Sequence, residues 1–229
     1  EIVAAALAQG CAGIALTYNE PSIGAEWCLK VAEAAHAAGL WAIAVSNAYL
    51  GAAAWGEFFA ALDAVNLDLK AFSDGFYRRR CHAHLAPVLA CLEAAAGSGT
   101  WVEVTTLLIP GENDGDAEIA AEARWLANHL GPQVPLHFSA FHPDHRLRDR
   151  PPTPLATLRR ARDIALAEGL HHVYTGNLPD PEGRTTRCAG CGADLILRES
   201  FGIKENRLQS GRCPGCGTAL EGVFIDVLK

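Results

Sequence analysis

The sequence predicts an α/β protein, a mainly parallel sheet flanked by helices, followed by a small cysteine-rich module. Two observations carry this. From Ala12 to about Tyr174, short apolar runs alternate with longer amphipathic ones, the rhythm of repeated β/α units. Near the end that rhythm stops, and two Cys-x-x-Cys pairs follow.

The candidate strands are 12–17, 41–46, 64–69, 101–108, 135–140 and 172–175, each short and rich in Val, Ile, Leu or Ala. Their near-continuous apolarity predicts strands covered on both faces by helices. Between the first two, Ile23, Trp27 and Val31 recur at i, i+4 and i+8, a helix face for the sheet, and Gly39 follows as a left-handed stop. The stretch 116–130 repeats the pattern through Ile119, Leu126 and Leu130 with Gly131 after it. Thr153 and Pro154 read as cap and first-turn proline of the next helix, which Gly169 closes. At 177–187, "NLPDPEGRTTR", Pro, Gly and Arg take over and mark a linker, dividing a body over 1–180 from a tail over 184–229.

Composition bounds the function. The 229 residues are half hydrophobic and one-fifth charged, enough for one large core and an appendage. No run approaches the roughly 20 apolar residues of a membrane helix and no secretory leader is visible, so the expected location is cytoplasmic with no membrane partner. The net charge of −7 disfavours non-specific nucleic-acid binding and leaves protein or small-molecule partners. Met is absent and the chain opens on Glu1-Ile2-Val3 as if in mid-helix, so an N-terminally truncated chain is expected.

In the tail, "CAGCG" sets Cys188 and Cys191 two residues apart, and "CPGCG" repeats the spacing at Cys213 and Cys216. Two such knuckles supply four thiolates, enough to close a tetrahedral Zn²⁺ site with no open position, as in a zinc ribbon. A tail this short buries little core, so the metal is expected to supply folding free energy. A rubredoxin-like iron site and a redox dithiol pair have the same spacing.

Ligands of parallel α/β sheets gather at the C-terminal ends of strands. Those ends carry Asn19 and Glu20, Ser46 and Asn47, Asp68 and Lys70, Thr105 and Thr106, and His142 after the fifth strand. Asp68 and Lys70, two apart, share a face and as a lone pair could simply neutralise each other. Five successive polar tips are more than core packing requires. They offer a carboxylate for an ammonium, an ammonium for a carboxylate, and amides and hydroxyls for a ribose or base. The inventory suits a zwitterionic, nucleoside-containing ligand. Gly-x-Ser-x-Gly, Walker and His-Glu-x-x-His motifs are absent.

"TYNEP", "NLDLKAFSDGFYR", "VEVTTLLIPGEND", "FHPDHRLRDRPPTP" and the paired tail motifs together resemble the radical S-adenosylmethionine (SAM) enzymes of the AmmeMemoRadiSam system, relatives of the pyruvate formate-lyase activating enzymes. The resemblance implies a partial (β/α)₆ radical SAM barrel, here lacking its first strand, with the zinc-ribbon-like module behind it. It implies that SAM chelates a [4Fe-4S] cluster, whose electron cleaves SAM to methionine and a 5′-deoxyadenosyl radical. It places Asn19 and Glu20 at the SAM ammonium, Asp68 and Lys70 near its carboxylate and ribose, Asn47 and Thr105 among further SAM contacts, and His142 facing SAM. Ile109-Pro110-Gly111 takes the position of an adenine-side loop.

The family's Cys-x-x-x-Cys-x-x-Cys cluster motif is expected upstream of residue 1. Cys11, Cys28, Cys81 and Cys91 stand 17, 53 and 10 residues apart and read as buried or partly buried thiols. This chain alone is therefore expected to be inactive in SAM cleavage. The implied partners are a protein or small-molecule substrate and other proteins of the AmmeMemoRadiSam system, with nucleic acid disfavoured. The alternative is a catalytically inactive SAM-binding barrel, or a module whose zinc ribbon docks a protein or nucleic acid. Among remaining residues, Cys81 to His84, "CHAH", reads as a helical segment away from the strand tips. His137, His142 and His145 read as a loop cluster, and 111–115, "GENDG", as turn chemistry.

Overall fold

Each of the six apolar runs forms a strand. The computed structural model describes residues 1–145, 147–199 and 202–223. After helix α1 (Ile2–Ala8) come β1 (Gly13–Leu16), α2 (Ala25–Ala37), β2 (Trp41–Ser46), α3 (Trp55–Ala60), β3 (Ala64–Asp68), a single turn α4 (Asp74–Phe76) and α5 (Leu85–Ala96). Then follow β4 (Trp101–Leu108), α6 (Asp116–His129), β5 (Leu136–Ala140), α7 (Leu155–Ala167) and β6 (Val173–Gly176). The six strands pair in sequence order, all parallel, a (β/α)₆ arrangement with no described ladder between β6 and β1. No helix among the described residues is long and apolar enough to cross a membrane.

Helices cover one face of the sheet, not both as the apolar runs predicted. Along β2, Ala42, Ala44 and Ser46 are buried while Trp41, Ile43 and Val45 stay part-exposed. β4 alternates likewise, Val102, Val104, Thr106 and Leu108 packing under helices and Trp101, Glu103 and Thr105 facing the other way. The inner residues line a hollow, and large apolar side chains on that side made the strands read as doubly covered.

Helix α2 also packs on a different face than expected. It starts at Ala25, so Ile23 precedes it and is 85% exposed, and Trp27 is 54% exposed. Cys28, Ala32 and Ala35 are the buried set, small side chains at i, i+4 and i+7 that let the helix lie close on β1 and β2. Gly39 ends the turn at φ +73°, where a β-carbon would be strained.

Thr153 is not the cap of α7; Pro154 holds that position. The Thr153 hydroxyl instead donates to the Leu108 carbonyl at 2.6 Å and accepts from the Phe141 amide at 2.9 Å, joining the ends of β4 and β5. The stretch 177–187, expected to be a linker, is packed. Asp180 is fully buried, accepts from Arg159 at 2.7 Å and from the Thr175 hydroxyl at 2.9 Å, and its carboxyl is held down. Burial opposes that shift, and the Arg159 and Thr175 hydrogen bonds outweigh it.

The tail forms a three-stranded antiparallel sheet of β7 (Thr186–Arg187), β8 (Asp194–Glu199) and β9 (Gly202–Asn206). Its buried core is Cys188, Leu195, Ile196 and Cys213. Of the expected 184–229 segment, residues 200, 201 and 224–229 lie outside the described residues.

Candidate active site and metal centre

Glu20 joins two strand tips. Its Oε1 accepts from the Ser46 hydroxyl at 2.6 Å and the Ser22 amide at 3.0 Å, and Oε2 accepts from the Asn47 amide at 2.9 Å. A carboxylate offers about four acceptor positions, so roughly one remains for an external donor. The side-chain amide of Asn47 turns away to accept from Tyr49 N at 2.9 Å. Asn19 is exposed beside Glu20.

At the third tip, Lys70 Nζ lies 2.5 Å from Asp68 Oδ2. They form the neutralising pair that their spacing allowed, although β3 itself ends at Asp68. The Lys70 amide donates to the Tyr77 hydroxyl at 2.9 Å. Cys81, in the turn Tyr77–Cys81, is near enough that the Lys70 charge opposes the rise desolvation gives its thiol. In "CHAH", Cys81 ends that turn and His82 leaves the helical region at φ 52°. Among the described residues "CHAH" contributes to no group of three or more metal-ligating side chains.

Thr105 faces Asp68 across the β3–β4 ladder and donates to Asn66 Oδ1 at 2.8 Å. His142 is exposed two residues beyond β5. His137 does not join it in a loop: it belongs to β5 and lies 2.6 Å from Glu103. The rim therefore holds two tied groups, Glu20 with Ser46 and Asn47, and Asp68 with Lys70.

Two residues that hold the rim escaped the sequence reading. Asn113 of the "GENDG" turn donates to the Lys70 carbonyl at 2.8 Å and the Leu107 carbonyl at 2.9 Å, and accepts from the Ile109 amide at 2.7 Å. It clamps the ends of β3 and β4 from a buried position. Behind the same tips, Glu122 of α6 is buried with Oε1 2.5 Å from the Thr106 hydroxyl, which also lies 2.9 Å from the Leu69 carbonyl. Burial pushes the Glu122 carboxyl up to about 8, and the Thr106 hydroxyl opposes that rise only when it donates to the ionised form. One hydroxyl has one proton to give, so the neutral acid donates to Thr106 and Thr106 donates to Leu69. Polar spacing within a helix or a turn carried no hint of either role.

In the tail, the sulfurs of Cys188, Cys191, Cys213 and Cys216 all lie within 4.8 Å of one another. Cys188 and Cys216 are 3.5 Å apart, Cys191 and Cys213 3.7 Å. A tetrahedron with metal–sulfur bonds of about 2.3 Å has edges of about 3.8 Å, so the cage fits a single cation. Each knuckle closes through a tight turn, Gly192 N donating to Cys188 O at 2.8 Å and Gly217 N to Cys213 O at 2.9 Å, with both glycines at positive φ. Hydrogen bonds with Thr218 hold the Cys216 thiol down, while Cys191, despite the Ala193 amide, is pushed up by its neighbouring sulfurs, so the crowded set shares protons that a cation would displace.

The other cysteines do not gather. Cys28 and Cys91 are buried, and burial pushes the Cys91 thiol up to about 11. Cys11 and Cys81 are exposed, where buried or partly buried thiols were expected, because neither falls on a helix face or strand side turned to the core. Among the described residues the tail set is the only group of three or more candidate metal ligands.

Comparison with known proteins agrees with this architecture. Residues 1–123 match the family model of the radical SAM superfamily. An uncharacterized protein of Methanocaldococcus jannaschii is 40% identical over 228 residues, a match spanning 98% of this chain and 67% of that protein. Among solved structures, a domain of a pyruvate-formate lyase-activating enzyme from Bacteroides vulgatus aligns with TM-score 0.63 at 16% identity, covering 72% of this chain and 99% of that one. A radical SAM methyltransferase from Sphaerobacter thermophilus gives 0.57 at 19% identity, covering 76% and 53%. These structural likenesses speak for the fold, and the sequence match decides the family: the chain belongs to the radical SAM superfamily.

Proposed function

We propose that the chain is the SAM-binding body of an AmmeMemoRadiSam-type radical enzyme, with a structural Zn²⁺ in its tail. The observation that carries the reading is Glu20, held by donors from two strand tips with acceptor capacity left over. In this reading that capacity receives the SAM ammonium, and the Asp68–Lys70 pair opens to meet the carboxylate and ribose. Asn19, Asn47, Thr105 and His142 complete the surround. Asn113 and Glu122 keep the third and fourth tips in place. When bound, a [4Fe-4S] cluster supplies the electron that cleaves the SAM sulfonium. No ligand for it is assigned among this chain's cysteines, since those outside the tail do not gather.

The test is titration of the metal-loaded chain with SAM by calorimetry. Glu20→Gln removes the charge while keeping the shape, and weakens SAM binding by about 1 to 3 kcal/mol, as loss of a charged hydrogen bond does. Equal affinity for both proteins counts against the reading. The substrate and any protein partners from the same system belong to the proposal as a class only. Formation of 5′-deoxyadenosine from SAM by the cluster-loaded enzyme is its functional readout.

A further inference from the structure

Below the strand-tip rim, the inner face of the sheet and the tail enclose a hollow of about 820 Å³. That volume is within the roughly 300 to 1,000 Å³ of small-molecule sites. Neither Glu20 nor Asp68 lines it. Across its floor, Trp101 Nε1 donates to Glu103 at 3.0 Å, and Glu103 lies 2.6 Å from His137 Nε2. The His137 ring stacks on Tyr174 with centroids 5.2 Å apart. Arg198, from β8 of the tail, sits 5.5 Å over the Tyr174 ring.

We propose that this hollow binds a small aromatic monocarboxylate, with its carboxylate on the Arg198 guanidinium and its ring against Trp41 and Trp101. The first argument is charge. Arg198 is half-buried, and its described hydrogen bonds end on neutral oxygens, the Arg184 carbonyl at 3.0 Å and the Thr186 hydroxyl at 2.7 Å. Among the described residues no carboxylate lies within ion-pair distance of it. Glu103 acts on it only through space, its own carboxyl lowered in part by the Arg198 charge. A half-desolvated guanidinium without a direct ion pair is matched by one brought from outside, and its planar fork fits a carboxylate's two oxygens.

The second argument limits that anion to a single charge. Glu103 faces the same hollow, and although burial raises its carboxyl, the bonds from His137 and Trp101 outweigh burial and hold it low. It stays ionised at neutral pH. Asp63 and Glu221 line the hollow as well, Asp63 held by His36 and the Ala42 amide and Glu221 by His172, while Arg184 donates to the Leu178 carbonyl. A lining that already holds three carboxylates accommodates one more at Arg198 and repels a dianion. The third argument is the wall. Trp41 and Trp101 line the hollow with the Tyr174–His137 stack, flat surfaces that favour a flat ring over a flexible chain. The inference goes beyond SAM binding and stands whether or not SAM occupies the rim.

The test uses the metal-loaded chain without SAM or cluster. Its five tryptophan indole N–H signals are followed by ¹⁵N NMR, after assignment by single Trp→Phe variants, while benzoate is added. The Trp101 signal, which reports the bond to Glu103, is expected to move saturably. Benzamide, the uncharged isostere, and the dianion phenyl phosphate are expected to bind at least roughly tenfold more weakly. Arg198→Lys keeps the charge and loses the fork, and is expected to weaken benzoate roughly tenfold while retaining the melting temperature. No saturable shift by roughly 20 mM benzoate overturns the proposal, as does benzamide or phenyl phosphate binding as tightly as benzoate. Should Arg198→Lys fail to fold, the three-ligand comparison on the unaltered chain decides alone. Loss of this binding leaves the SAM titration untouched, so the two readings fail separately.

Discussion

Glu122 is a carboxylic acid kept neutral inside the body, and its proton is part of how the third and fourth tips are held. The folded-state value of about 8 lies above the ordinary 4.5. The stabilisation it contributes is therefore complete below the ordinary value and lost as pH rises through the folded one. Between those limits stability falls by up to about 1.4 kcal/mol per pH unit. Glu122→Gln keeps the hydrogen bond with no proton to lose, so its urea midpoint is expected to be flatter from pH 5 to 9 than that of the unaltered chain. Parallel curves would contradict this. Asn113 makes the complementary point about legibility. Its neighbours in "GENDG" form a turn as their types predict, but its three bonds reach carbonyls and an amide of two different strand ends, which no local pattern encodes.

At the scale of elements, the strands were the most readable part, since each observed strand falls within a residue or two of its apolar run. What local patterns could not decide was which side of an element meets the core. Ile23 and Trp27 had the right period but stand exposed, while Cys28, Ala32 and Ala35 pack, because the neighbouring sheet selects small side chains for a close approach. The segment after β6 is a similar case, since Pro and Gly signal only a change of direction. Asp180, buried within it, depends on Arg159 of α7. Arg159→Ala leaves a buried carboxylate short of its charged partner and is expected to lower the midpoint of chemical denaturation. The Asp180 carboxyl is held below its ordinary range, so it stabilises above that range and the benefit disappears as pH falls. The Arg159→Ala chain is accordingly expected to unfold at a higher pH on acid titration than the unaltered one. An unchanged acid midpoint would remove Arg159 from this role.

At the scale of the whole molecule, body and tail differ in what holds them. The body has a large continuous core, whereas the tail buries only Cys188, Leu195, Ile196 and Cys213. A core that small would leave a cation bound at the four sulfurs to supply much of the tail's folding free energy. Chelation is expected to expose the tail to protease while the six-stranded body stays intact, which limited proteolysis with mass spectrometry reads directly. A tail equally resistant with and without metal would contradict it. The paired knuckles announced this cage from spacing alone. Its seat against the sheet was not legible, because Tyr174, Thr186 and Arg198 come from separate elements and meet only once β8 is folded.

The sulfur cage is also unevenly sheltered, with Cys188 and Cys213 buried and Cys191 and Cys216 open to solvent. Peroxide, reduced to water as two thiolates join in a disulfide, therefore has a way into the cage from outside. Oxidation there would take ligands from any cation held at the four sulfurs, and with them support for the strand that carries Arg198. Damage at two exposed sulfurs would be felt as a missing wall on the far side of the module.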